Sequence, residues 1–249
     1  MELTNFELDG ARLHITTQGA GPSLVLVHGL SGSGKWWQHN TPVFAQNYRV
    51  HVVDLVGYGR ARRQMALGVR AAARLIAAWL EHAGLEHVTL IGHSMGGHIS
   101  LHVAALAPQR VSRLVLASAS GLLRRRFRQS MLALPRALVV GRKRFLPQIL
   151  GDAWRAGPRN LLISSRDLLR DSVQDVLPAI TVPTLVIWGA RDALVPLTIG
   201  ELLVGTLQNA RLEVIAGAGH VVMVDAATTF NRLVLEFLAE SSGSIGRPR

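Results

Sequence analysis

The chain has 249 residues, with 27 lysines and arginines against 16 aspartates and glutamates, a formal charge of +11. Hydrophobic residues make up 49% and charged residues only 17%, which excludes a disordered chain. Cysteine is absent, so disulfides, cysteine-ligated zinc, iron–sulfur clusters and a thiol nucleophile are excluded. The positive charge is local: residues 121–172 hold 12 basic and 3 acidic side chains, and the other 197 residues carry only +2. That concentration argues against a nucleic-acid-binding surface spread over the chain.

The N-terminus has Glu2, Glu7 and Asp9 where a secretory leader needs basic residues and then an apolar run. No stretch approaches the roughly 18 apolar residues of a spanning helix. The expectation is a soluble, cytoplasmic protein. Residues 6–17 read as a hairpin turning at Asp9-Gly10. Six short apolar runs follow, at 24–27, 50–55, 88–91, 114–116, 185–187 and 212–215. They do not alternate with polar residues, the pattern of strands covered on both faces. Helical segments are predicted at 65–83, 97–107 and 228–240, the last with Phe230, Leu233, Val234 and Phe237 on one face. The alternation predicts an α/β fold, a mainly parallel eight-stranded sheet flanked by helices, with the first strand antiparallel. Residues 121–180 have little strand character and several breakers, and read as a helical cap insertion. The predicted organisation is core over 1–120, cap over 121–180 and core again over 181–249.

The run at 88–91 leads directly into Gly92-His93-Ser94-Met95-Gly96-Gly97 and then a helix. This is G-x-S-x-G in the strand–turn–helix setting that gives the motif its meaning. A serine hydroxyl needs a base to take its proton, and the base needs an orienting acid. Downstream, the run at 185–187 continues through Trp188-Gly189 to Asp192, and the run at 212–215 through Gly217 and Gly219 to His220. Ser94, Asp192 and His220 each follow the end of a strand, where open α/β sheets place their ligands.

With His28-Gly29 after a strand and Asp54 before Gly57-Tyr58-Gly59, these motifs resemble the α/β-hydrolase superfamily, in its group with a helical cap. The resemblance runs from about residue 6 to residue 239. It implies a Ser94-His220-Asp192 triad, with backbone N–H groups of Met95 and Leu30 as the oxyanion hole and no cofactor or metal. It makes His28 and Asp54 structural. Asp225 is a weaker rival to Asp192 for the acid, because Asp192 better fits the position after a strand.

The same region holds a decoy. Gly29 to Lys35 fits G-x-x-x-x-G-K, but Trp36 stands where a phosphate-binding loop needs Ser or Thr. The loop is read instead as a wall of the acyl pocket. Trp36, Met131, Leu134, Leu138, Phe145, Trp154 and Val221 are the expected pocket residues. His98 and His102 are spaced i, i+4 as a metal pair would be, but no acid is near them in sequence, so packing is the preferred role. The basic insertion is read first as a solvated face, second as a contact with an anionic membrane surface and last as a nucleic-acid site.

The reading is a serine hydrolase of small carboxylic esters acting through an acyl-enzyme. Its nearest rival is hydrolysis of carbon–carbon bonds in aromatic ring-cleavage products, since Phe230-Asn231-Arg232-Leu233-Val234 is similar to a helix of those enzymes. They commonly carry Trp after the catalytic His, where this chain has Val221. Thioesters and lactones are further substrates of the same chemistry, and a hydrolase-like ligand-binding receptor is the non-enzyme alternative. Oligomeric state is not legible.

Overall fold

The computed structural model describes residues 1–122 and 145–240. Strands β1 (Glu2–Leu8) and β2 (Ala11–Gln18) form a hairpin. Its turn residues, Asp9 at φ 52° and Gly10 at φ 77°, both take the left-handed conformation that a tight two-residue connection demands. β3 (Ser23–Val27), β4 (Arg49–Asp54), β5 (Val88–His93), β6 (Val111–Ala117), β7 (Thr184–Gly189) and β8 (Ala210–Ile215) complete one eight-stranded sheet, in the order β1-β2-β4-β3-β5-β6-β7-β8. β3 to β8 are parallel, as expected. The expected antiparallel first strand is corrected. β2 pairs antiparallel with both β1 and β4, so it is β2 that runs against the rest, because the tight turn reverses the chain before it joins β4.

Apolar runs without alternation are explained by helices on both faces. Val25, Val27, Leu90, Leu114, Leu116, Val186 and Trp188 point to one core, with α2 (Val69–His82), α3 (Met95–Leu106) and α5 (Leu197–Thr206). Their neighbours Leu24, Leu26, Ile91, Val115, Leu185 and Ile187 point to the other, with α1 (Thr41–Phe44), α6 (Val222–Asp225) and α7 (Ala227–Ala239). A buried amide pair ties this second layer together. Asn40 Nδ2 donates to Asn231 Oδ1 at 2.7 Å and Met223 O at 3.1 Å, and Asn231 Nδ2 donates to His39 O at 3.0 Å.

Between β6 and β7 lies α4 (Leu146–Arg170), bent at Gly157 (φ 77°, ψ 158°) just before Pro158. It crosses the loops that leave β3 and β4 and is bonded to them along its length. Ser33 Oγ and Trp36 Nε1 donate to Asp152 at 2.8 and 3.1 Å. Asn160 bonds Gly57 O, Gln64 O and Ala66 N, and Tyr58 Oη donates to Ser164 Oγ at 2.7 Å. The Val69 N–H donates to Asp167 at 2.6 Å. Asp171, capping the helix, accepts from Arg70 at 2.5 Å and from His98 and His102 at 2.8 and 2.6 Å. Among the described residues, no helix is long and apolar enough to cross a membrane.

Two predictions follow from this packing. Asn40→Ala orphans the Asn231 and Met223 acceptors and should cost about 2 kcal/mol in urea unfolding. Buried His51, bonded to Thr17 Oγ1 at 3.0 Å, has its pKa lowered to about 4, first by burial and then by Arg49. Only the unfolded chain then binds the proton near pH 6.5. The stability that neutral His51 contributes is full above pH 6.5 and is lost as pH falls through about 4. Unfolding free energy measured against pH should be less steep in that window for His51→Gln.

Candidate active site

The site is built where β5 stops. Ser94 adopts φ 53°, ψ −115°, a conformation that a non-glycine residue keeps only when its surroundings impose it. They do so here through three backbone bonds: Ser94 N–H donates to Ala117 O at 2.9 Å, and Ser94 O accepts from His98 and Ser120 at 3.1 and 3.2 Å. Gly92 allows the sharp return of the chain, since a Cβ there would lie 2.5 Å from Gly96 O and 2.6 Å from Gly97 Cα. Met95 begins α3, so its N–H belongs to the first turn, which has no helical acceptor. The loop after β3 comes up beside it: a Cβ on Gly29 would stand 3.0 Å from Ser94 Cβ, which brings Leu30 next to the nucleophile position.

The loops after β7 and β8 bring in the other two groups. Ser94 Oγ donates to His220 Nε2 at 3.0 Å, and His220 Nδ1 donates to Asp192 Oδ2 at 2.9 Å. Asp192 is held by the N–H groups of Leu194 and Val195, each 2.9 Å from Oδ1. Burial alone would raise its carboxyl, but His220 and the Val195 N–H outweigh that and hold the pKa below its ordinary value. The relay therefore has an ionised acid, a hydrogen-bonded imidazole and a hydroxyl aligned on its free nitrogen. Such an arrangement can move a proton off Ser94 and return it to a leaving group. Asp225 accepts from the Gly219 N–H at 2.9 Å, shaping the loop that carries His220.

Other residues organise the site. His28 donates from Nδ1 to Gly29 O at 2.8 Å and accepts the Leu55 N–H on Nε2 at 3.1 Å. Asp54 accepts from the N–H groups of Gly34 and Arg60 at 2.7 and 3.2 Å, so a protein carboxylate already occupies one backbone donor of the P-loop-like segment. A cleft of about 350 Å³ beside that segment is lined by Lys35, Arg60, Arg62 and Arg155 together with Asp54 and Asp152. His93 lies against the relay. Its Nε2 donates to His220 O at 3.0 Å and its ring lies 4.9 Å from that of His220. Burial, then the neighbouring His220, lowers its pKa to about 3, so it is neutral and props the His220 backbone.

The expected pocket residues divide. Trp36 is buried between His93 and Phe145, with ring separations of 5.8 and 5.5 Å, and Val221 is buried beside His220. Met131, Leu134 and Leu138 lie outside the described residues. Trp154 is a correction: it is 87% exposed on the outer side of α4. Asp152 and Ala156 are the buried positions there, and a residue two places from each points the opposite way. For His98 and His102 the fold supplies the acid that is missing near them in sequence. Asp171, 73 and 69 residues away, lies between both rings, and the three can offer ligand atoms within 4.8 Å of one another. Arg70 shares that carboxylate, so the cluster stands as a charge-paired tie between α2, α3 and α4. Burial would raise the Asp171 carboxyl, but His98, Arg70 and His102 together hold it well below the usual range. Only the i, i+4 histidine spacing signalled this cluster in the sequence.

A family model described as alpha/beta hydrolase fold matches residues 22–146 and 121–227. The 2-hydroxy-6-oxononadienedioate/2-hydroxy-6-oxononatrienedioate hydrolase of Cupriavidus pinatubonensis is 30% identical over 267 residues, covering 91% of this chain and 90% of the relative. A putative carbamate hydrolase, RutD, of Stutzerimonas stutzeri is 28% identical, covering 94% and 97%. The crystal structure of a bromoperoxidase from Bacillus anthracis superposes with a TM-score of 0.86 at 22% identity, covering 96% and 100%, a likeness of fold. Sheet order, elbow geometry and these matches agree: the chain belongs to the alpha/beta hydrolase fold family.

Proposed function

We propose that the chain hydrolyses a carbon–carbon bond next to a ketone in 2-hydroxy-6-oxo-dienoic acids, using Ser94, His220 and Asp192. The observation that carries this reading is the Ser94–His220–Asp192 relay in a chain that matches such a dienedioate hydrolase over nine-tenths of both lengths. It moves the emphasis from the ester bond that the sequence favoured to the rival bond. In the proposed sequence the dienol first gives up its 2-hydroxyl proton and takes one at C5, becoming the 2-keto form. Ser94 Oγ then adds to the C6 carbonyl while His220 Nε2 takes the hydroxyl proton. N–H groups of Met95 and Leu30 hold the resulting oxyanion. The C5–C6 bond breaks, its electron pair passing through the alkene to the 2-keto oxygen, and His220 returns the proton to that fragment. Water, activated by His220, then frees the acyl group from Ser94.

Ester hydrolysis is the second reading, and Val221 favours it. An aliphatic residue there replaces the tryptophan expected after the histidine of a carbon–carbon hydrolase. The relay needs no alteration for an ester, because the leaving alkoxide takes the same proton from His220.

A paired assay separates the two readings. The loss of absorbance of a 2-hydroxy-6-oxo-dienoate should proceed with kcat/KM roughly tenfold or more above that for p-nitrophenyl butyrate. The reverse order would establish the ester reading. With the better substrate, Asp192→Asn should lower kcat by roughly 10³- to 10⁴-fold, since the imidazole loses its orienting acceptor. Ser94→Ala should abolish both turnover and covalent labelling by a fluorophosphonate. Labelling that survives Ser94→Ala would remove Ser94 from the mechanism.

A further inference from the structure

The exposed side of α4 is unusual in two respects. It displays Leu150, Trp154 and Leu162 at 55, 87 and 68% exposure, although large apolar side chains on a folded surface are normally scattered singly. Its charges are also sorted by direction. All four basic residues of the helix, Arg155, Arg159, Arg166 and Arg170, are exposed. The three acids of residues 121–172 all turn to the core: Asp152 to Ser33 and Trp36, Asp167 to the Val69 N–H, and Asp171 to Arg70, His98 and His102. The outer face therefore carries leucines, a tryptophan and guanidinium groups with no carboxylate among its exposed residues. Next to it in sequence, residues 123–144 add eight basic residues and no acidic one.

We infer that this face docks on an anionic phospholipid bilayer surface. Charge complementarity selects the occupant. A one-sign face with intercalated apolar residues matches a layer that is negative at the headgroups and apolar just beneath. Tryptophan suits that boundary because its ring is apolar and its indole N–H is polar. Arginine stems lie along the apolar surface while their guanidinium groups reach phosphates. The inference is independent of which bond the site cleaves.

The test uses the full chain and vesicles of phosphatidylglycerol mixed with phosphatidylcholine, with pure phosphatidylcholine as the neutral control. Trp36, Trp37, Trp79 and Trp188 are each at most 5% exposed, so acrylamide quenching of the tryptophan emission reports Trp154. Anionic vesicles at low salt should co-sediment the protein and protect Trp154 from acrylamide, and added salt should release it. Arg159→Glu with Arg166→Glu should weaken the partition roughly tenfold or more. Trp154→Ser should lower the quenchable emission and weaken binding with the fold intact by near-ultraviolet circular dichroism. Equal binding to neutral vesicles, or no binding to anionic ones, would overturn the inference. So would protection of Trp154 without lipid, whether it depends on protein concentration, as for a second copy, or not, as for the chain's own residues 123–144.

Discussion

A serine oxygen stands clear of a sheet only if the backbone beneath it is bent out of its ordinary range. Ser94 carries that bend, at φ 53° and ψ −115°. Strain of this kind costs of order 1–3 kcal/mol and survives only where neighbours over-determine it. The neighbours here are β6, which receives the Ser94 N–H at Ala117, and α3, whose first turn bonds back to the Ser94 carbonyl. The Gly29 loop closes the remaining side. The sheet order puts the strands carrying these groups next to one another, so the site depends on the parallel core being correctly assembled.

The loop between β3 and α1 shows how one sequence pattern can be diverted to another use. A glycine-rich turn followed by lysine offers backbone donors to an anion. In this chain Asp54 takes the Gly34 and Arg60 N–H groups, and Asp152 takes the Ser33 hydroxyl and the Trp36 indole. Internal carboxylates thus take one backbone and two side-chain donors of this loop. They join the loop to β4 on one side and to α4 on the other, while Trp36 packs against His93 and Phe145.

Most of the framework was legible because its signals are local. Runs such as 24–27 and 185–187 have apolar residues at every position, and both faces of the sheet are in fact covered. The elbow, the acid and the histidine each follow a strand end, so their meeting could be inferred from chain order once the sheet was parallel. What was not legible depends on direction and distance. Trp154 looked like a pocket residue by type, but the rotation of α4 that buries Asp152 and Ala156 turns it outward. Asp171 is far in sequence from His98 and His102, and only the path of α4 across the sheet brings it to them. His93 likewise meets His220 only through the fold: the approach of the β8 loop gives its Nε2 a backbone acceptor there.

The attachments of α4 also have a mechanical meaning. The helix is fastened before its bend by Asp152 and after it by Asn160, Ser164, Asp167 and Asp171. Between the two sets lies Gly157, at a backbone angle no helix sustains and with open space where a side chain would sit. In α4 the bend is thus confined to one residue, and each arm is anchored to the core by its own set of bonds.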